Sequence, residues 1–229
     1  MNTLRTAALA SVALLTACAH TPPNTLTGAE ESAGFQLLFD GSSLEHWRNY
    51  KSDTISNGWE VRDGAIHRGG PAGDIVTREQ YEDFELYLDW KIAPGGNSGI
   101  FFHVTEDHDY VFETGPEYQI LDNKNHPDGA DPKTSAGSDY ALYAPRVDAT
   151  NTTGAYNRSR IVVRGGHVRH YLNGELVVEY ELWSDDWYQR VAASKFASMP
   201  DYGMRRSGHI ALQDHGDEVW FRNIKIRRL

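Results

Sequence analysis

Phe84-Glu85-Leu86-Tyr87-Leu88-Asp89-Trp90-Lys91-Ile92 decides the fold. Large apolar side chains take every second position, with Glu85, Tyr87, Asp89 and Lys91 between them. A period of two marks a strand with one face in a core, because successive side chains leave opposite faces of the pleat. Downstream, Pro94-Gly95-Gly96-Asn97 turns the chain into a second strand, Gly99 to Val104. There Ile100, Phe102 and Val104 share one face, and Phe101 and His103 the other. Upstream, Trp59-Glu60-Val61 and Ala65-Ile66-His67 flank Arg62-Asp63-Gly64, a hairpin signal. The fold opens at Phe35 to Phe39, ahead of the turn Asp40-Gly41.

The second half repeats the pattern. Arg160 to Arg164 reads as a strand, followed by a hairpin of Val168–Leu172 and Glu175–Tyr180 joined at Asn173-Gly174. A two-residue Asn-Gly turn fixes register. Leu172 then opposes Glu175, Tyr171 opposes Leu176 and His170 opposes Val177. That register puts Tyr171, Leu176, Val178 and Tyr180 on the core face, and His170 with Val168, Leu172, Val177 and Glu179 on the other. Ser184 to Ala197 reads as a helix, with Ser184 as N-cap and Asp185 and Asp186 in its first turn. His209 to Gln213 and Glu218 to Arg228 close the chain as strands. Roughly ten or more strands and one helical excursion predict an all-β jelly-roll sandwich, its sheets about 10 Å apart. An eight-stranded barrel is the alternative.

Ahead of this domain the chain reads differently. Met1 to Arg5 is short and basic, Thr6 to Ala17 is apolar but too short to span a membrane, and Leu15-Thr16-Ala17-Cys18 resembles a bacterial lipoprotein box. The resemblance implies a signal peptide over 1–17 and lipidation of Cys18. Each buried acyl methylene would contribute about 0.8 kcal/mol to a membrane anchor, and Ala19 after the cysteine implies the outer membrane. Residues 18–33, with Pro22-Pro23 and little apolar periodicity, predict a flexible tether to a domain over 34–229.

The balance of 32 acids against 22 bases gives a net charge of −10, without a dense basic run, which argues against nucleic acid as a partner. Cys18 is the only cysteine, so the mature domain has no thiol catalysis and no cysteine-based zinc site. Serine-hydrolase elbow, phosphate loop, dinucleotide fingerprint and zinc-helix motifs are all missing.

What remains is carboxylates, amides and histidines. In Gly115-Pro116-Glu117-Tyr118-Gln119-Ile120-Leu121-Asp122-Asn123, a strand reading puts Tyr118 and Ile120 on one face and Glu117 and Gln119 on the other. The strand enters a loop, Asp122 to Asp139, rich in Asn, Asp, Gly, Pro and Ser, of a length that is usually functional or mobile. Asn97, His103, Glu117, Gln119, Asp122, His126, His170 and Gln213 are the candidate site residues. Asp214-His215-Gly216-Asp217 reads mainly as a turn.

Taken in order, Gly34-Phe35 to Leu44, Asn97-Ser98-Gly99-Ile100-Phe101-Phe102, Glu117 to Asp122, Val168 to Gly174, and Gly208 to Ile226 resemble the bacterial 3-keto-disaccharide hydrolase family. The resemblance covers nearly all of 34–229 and implies a concanavalin A-like jelly roll related to lectins and glucanases. Many relatives carry Arg where this chain has His103. The implied activity is cleavage of 3-keto-glycosides. A carbonyl at C3 acidifies the C2 hydrogen, a base removes it, and the C1 oxygen leaves when an acid protonates it. Water addition to the enone completes a formal hydrolysis. The route needs hydrogen-bond donors or a divalent metal ion to hold the enolate oxygen. The expectation is that Glu117 or Asp122 shares the proton transfers with His170. Asn97, His103, Gln119, His126 and Gln213 would bind hydroxyls, the enolate or a divalent ion of an oligosaccharide or glycoside complex. The competing readings are a non-catalytic carbohydrate-binding module and an ordinary endo-glucanase.

Overall fold

The computed structural model describes residues 21–229. The leader at 1–17 and Cys18 lie outside the described residues. Thirteen strands follow in chain order: β1 (Gln36–Leu37), β2 (Trp47–Asn49), β3 (Trp59–Arg62), β4 (Ala65–Arg68), β5 (Ile75–Thr77), β6 (Phe84–Ile92), β7 (Asn97–Val104), β8 (Glu117–Leu121), β9 (Asn157–Arg164), β10 (His167–Leu172), β11 (Glu175–Glu181), β12 (His209–Leu212) and β13 (Val219–Arg228). Two helices accompany them, α1 (Gly28–Ser32) and α2 (Asp185–Ala192).

The larger sheet runs β11-β10-β9-β6-β13-β4-β3, with β1 also on β13, and the smaller runs β2-β5-β12-β7-β8. All pairs are antiparallel within two separate sheets, so the chain forms the expected jelly-roll sandwich and the barrel alternative is set aside. Phe84, Leu86, Leu88, Trp90 and Ile92 of β6 are buried between the sheets, facing Ile100, Phe102, Tyr118, Ile120, Ile210 and Leu212. Each such side chain contributes about 1.5–3 kcal/mol on burial, so the alternation of β6 sets the layer order.

The outer face of the larger sheet is closed by paired charge. Arg160 Nε donates to Glu85 Oε1 at 2.7 Å, Arg227 Nε to Glu85 Oε2 at 2.8 Å, and Arg158 Nε to Asp89 Oδ1 at 2.8 Å. Burial opposes the charge on Glu85, but hydrogen bonds from Arg227 and Arg160 outweigh it and hold its pKa low. Carboxylates held this way are structural. The outer face of the smaller sheet carries no such lattice on β7 and β8.

Four sequence expectations are corrected. In the hairpin, Leu172 pairs with Glu175 and Tyr171 with Leu176, but His170 pairs with Val178, because a bulge at Val177 adds one residue to β11. An extra residue inverts every face beyond it. Val168, His170 and Leu172 therefore face the core with Val178 and Tyr180, while Tyr171 lies outside under the Arg160 guanidinium, 4.5 Å from its ring centroid. A second bulge sits on β7 opposite His209–Ala211, where His103 has φ +54°. It moves Val104 to the outer face beside Phe101.

The stretch expected to be a tether is docked from Asn24 onward. Asn24 N donates to Asn223 Oδ1 at 2.6 Å, Asn223 N returns a bond to Asn24 Oδ1 at 2.7 Å, and Asn24 Nδ2 reaches Gly64 O at 2.8 Å. Thr27 and Glu30 then form a reciprocal cap on α1. Polar partners far along the chain order this segment, and apolar periodicity does not report them. The predicted helix stops at Ala192. Ser194 Oγ accepts from Phe196 N at 3.1 Å and starts a 3-10 turn, Lys195–Ser198.

Candidate active site

β8 is the edge strand of the smaller sheet, and unpaired strand edges invite aggregation unless covered. Here the loop after β8 folds back on it. Gln119 N donates to Ser138 O at 3.1 Å, Gly137 N to Gln119 O at 2.9 Å, and Tyr140 N to Glu117 O at 3.0 Å. The predicted long loop is thus an ordered cover, with 3-10 turns at Pro127–Ala130 and Pro132–Thr134. It holds β8 rigid and places Tyr140 beside Glu117.

Along β8 the alternation is as expected: Tyr118 and Ile120 enter the core, while Glu117 and Gln119 leave the outer face. Register sets Glu117 opposite Phe101 and Gln119 opposite Gly99. A Cβ on Gly99 would stand 2.3 Å from Glu117 Oε1 and 3.0 Å from its Cδ. Gly99 is what lets the carboxyl lie across β7. Around it is a hollow of about 140 Å³, lined by Asn97, Gln119 and Gln213 from the sheet and by Phe112, Tyr140, Lys195 and His215 from the loops. Glu117 is the only carboxylate among these lining residues. Gln119 Nε2 donates to Thr134 O at 3.3 Å, which fixes the orientation of the amide, and its Oε1 is buried without a partner. Gln213 Oε1 is likewise buried and unpartnered. Two orphaned acceptors in one small hollow are costly unless a ligand's hydroxyls donate to them.

Electrostatics make Glu117 unusual. Its pKa is raised to about 8: burial is the largest cause, the Lys195 ammonium opposes it, and the like charges of Asp74, Asp139 and Asp128 add to it. Lys195 is moved the opposite way. Burial lowers it, and the charges of Glu117 and Asp128 resist that shift. Its Nζ lies 4.1 Å from the centroid of the Tyr140 ring, a cation–π contact that fixes the ammonium at the rim. A carboxyl and an ammonium both drawn toward neutral pH in one hollow have the electrostatics a proton-transfer pair requires. Lys195→Met is expected to raise the pKa of Glu117 further, because it removes the one charge that lowers it. The acidic limb of the kcat/KM profile would move to higher pH, which a pH series on the variant reads directly.

Sequence reasoning missed Lys195, which sits far along the chain in the 3-10 turn after α2. Gly99 did carry a signal, since glycine inside a strand marks close approach of another group.

The structure brings together Asn97, Glu117, Gln119 and Gln213, and separates the other four candidates from them. Asp122 accepts from Gly95 N at 2.8 Å, Asn125 Nδ2 at 2.7 Å, Thr153 Oγ1 at 3.0 Å and Lys124 N at 3.3 Å. Burial opposes its charge, but those bonds prevail and lower its pKa, so it anchors loops as a fixed anion. It lines a different cleft of about 610 Å³, under residues 145–155. His126 Nδ1 accepts from Asp128 N at 3.1 Å and caps a turn. His103 is buried, with Nε2 2.8 Å from Glu82 O and its ring edge-on to Phe84 and Phe102. Among the described residues no cluster of three or more His, Cys, Asp or Glu is arranged as a metal site.

His170 is the decisive correction. It is 0% exposed between the sheets, its Nδ1 3.1 Å from Gly137 O and its ring 4.8 Å from that of Tyr118. Tyr118 and Glu117 leave opposite faces of β8, so the sheet itself stands between His170 and the hollow. Burial lowers its pKa to about 4, so it is a neutral core residue. His170→Ala is expected to cost about 2–4 kcal/mol of stability in chemical denaturation, while kcat of the folded protein stays near wild type.

Residues 34–227 match the model of the 3-keto-alpha-glucoside-1,2-lyase-like domain. A Bacteroides thetaiotaomicron protein named 3-keto-disaccharide hydrolase is 35% identical, over 87% of this chain and 80% of that protein. This chain belongs to the 3-keto-alpha-glucoside-1,2-lyase-like family. A crystal structure from Parabacteroides distasonis, described as a candidate glycosyl hydrolase, superposes with a TM-score of 0.86 at 38% identity, covering 91% of this chain and 100% of that one. A galectin-like protein from Bacillus subtilis superposes at TM-score 0.51 with 12% identity, covering 90% of this chain and 94% of that one, which shows the fold alone. As a 3-keto-glucoside lyase-like domain, the protein is a carbohydrate-active enzyme of the glycoside-cleaving kind. The family match spans both sheets, so all eight residues lining the hollow lie within it.

Proposed function

We propose that this protein cleaves the glycosidic bond of 3-keto-glycosides and 3-keto-disaccharides by proton abstraction at C2 and elimination at C1. The observation that carries the reading is Glu117, a buried carboxyl with a raised pKa, the one carboxylate lining the hollow and paired electrostatically with Lys195. In its ionised form Glu117 removes the C2 proton, and the bond electrons pass to the C3 carbonyl as an enolate. The enolate collapses to expel the C1 oxygen, which takes a proton from the Lys195 ammonium. Glycoside and base thus become enone, free alcohol, protonated Glu117 and neutral Lys195. One proton passing from Glu117 to Lys195 restores the starting state, and water addition to the enone completes the hydrolytic outcome. A carboxylate whose pKa is raised to about 8 is a stronger base than an ordinary one, which suits a weakly acidic C–H. The amides of Asn97 and Gln213 supply donors for the enolate oxygen, and the free Oε1 atoms of Gln119 and Gln213 accept from sugar hydroxyls.

An ordinary glycosidase needs two carboxyl groups flanking the bond, one as acid and one as base or nucleophile. One carboxylate lines this hollow. The test is to incubate the protein with a disaccharide and with its 3-keto derivative and to follow release of the second sugar. Cleavage of the keto sugar alone supports the proposal; cleavage of the unoxidised sugar at a similar rate refutes it.

A further inference from the structure

The proposed chemistry seats one sugar ring against Glu117, so the departing group must lie at the mouth of the hollow. One aromatic ring, Phe112, lines the hollow, and a second, Tyr110, stacks on the first. Phe112 lines the hollow and packs on the outer-face cluster that includes Phe101, Val104 and Val111. Because Phe101 is the register partner of Glu117, this cluster is continuous with the site. Tyr110 stacks on Phe112, with centroids 5.1 Å apart and planes 7° apart. Tyr110 is 58% exposed, the most exposed large apolar side chain among the described residues. Burial therefore does not hold it in place. Local backbone does: Tyr110 N donates to Glu113 Oε2 at 2.8 Å, and Glu113 N donates to Tyr110 O at 3.2 Å. The result is a pre-ordered aromatic ledge, open to solvent, leading out from the hollow.

We infer that Tyr110 and Phe112 form a leaving-group subsite selecting glycosides whose departing group is a six-membered ring with an apolar face, as a pyranose or aryl ring has. This rests on the function proposed above. A ring's C–H face laid on the ledge replaces water over the exposed aromatic surface, and the ledge gains nothing from a methyl leaving group too small to reach it. Stacking of this kind changes affinity by roughly fivefold, and pre-ordering keeps the gain from being spent on fixing the ring.

The experiment measures kcat/KM of the full chain for a 3-keto-disaccharide and for methyl 3-keto-glucoside, in wild type, Tyr110→Ala and Tyr110→Phe. The ratio of the two is expected to fall about fivefold in Tyr110→Ala and to stay near wild type in Tyr110→Phe, because the ring and not the hydroxyl makes the contact. A parallel arm titrates the unoxidised disaccharide and methyl glucoside by NMR. There wild type should prefer the disaccharide, and Tyr110→Ala should lose the preference. An unchanged preference in Tyr110→Ala, in either arm, overturns the subsite. Failure of wild type to cleave either keto substrate overturns the catalytic reading instead, and the NMR arm then decides the subsite by itself.

Discussion

Glu117→Gln is expected to lower kcat on a 3-keto-glycoside by about 10³-fold, within the range for loss of a positioned proton-transfer group. The substitution keeps shape and volume, so substrate affinity should change far less than turnover. It also has a signature in stability. The folded pKa of Glu117 is raised to about 8, against an ordinary value of 4.5. Between those limits the folded state retains a proton that the unfolded state has released, so rising pH favours unfolding across that window. Gln has no proton to lose. The gain in Tm of Glu117→Gln over wild type should therefore be larger at pH 8 than at pH 4, measured by thermal melts at both values. Wild-type kcat/KM should rise with pH up to about 8, where the carboxyl becomes ionised, and fall at higher pH as Lys195 loses its proton. A variant that is inactive yet more stable at pH 8 separates a catalytic carboxyl from a merely structural one.

Gly99→Ala is the second large effect. Its methyl would sit 2.3 Å from Glu117 Oε1, 3.0 Å from Cδ and 3.1 Å from Cγ, so the whole carboxyl end must move. Misplacing a reacting group by about 1 Å costs on the order of 10²-fold in rate. The variant should lose about that much in kcat/KM while its melting temperature changes little, because Gly99 sits in regular strand and the atoms that give way are the far end of one side chain. Initial rates on the 3-keto substrate, with a thermal melt on the same sample, decide it.

Much of the fold was legible because strand periodicity is a local property. The alternation in Phe84–Ile92 and the Asn173-Gly174 turn named the core face of β6 and the start of the hairpin register correctly. The faces of His170 and of Val104 were not legible, because a single bulge residue inverts the pattern and leaves no mark in composition. Of the candidate site, half of the residues named from the sequence meet at the hollow. Asn97, Glu117, Gln119 and Gln213 were recoverable because their strands are regular and their motifs ordered along the chain. Asp122 misled because an acid at the end of a strand looks the same whether it faces a ligand or accepts four local donors. Lys195 was invisible because its meeting with Glu117 is made by a loop that α2 and its following turn position in space, and no spacing encodes that. Residues 24–33 misled for the same reason, since Asn24 is ordered by Asn223 at the other end of the chain.

The central claim is that Glu117 takes a proton from the carbon next to a ketone. It is tested most directly by the rate on a 3-keto-glucoside carrying deuterium at C2, compared with its protium form. A primary isotope effect on kcat/KM, together with no cleavage of the unoxidised glucoside, is the predicted result. Equal rates for the two isotopologues, with cleavage of the unoxidised glucoside, would contradict it and leave a glycosidase of another kind on this fold.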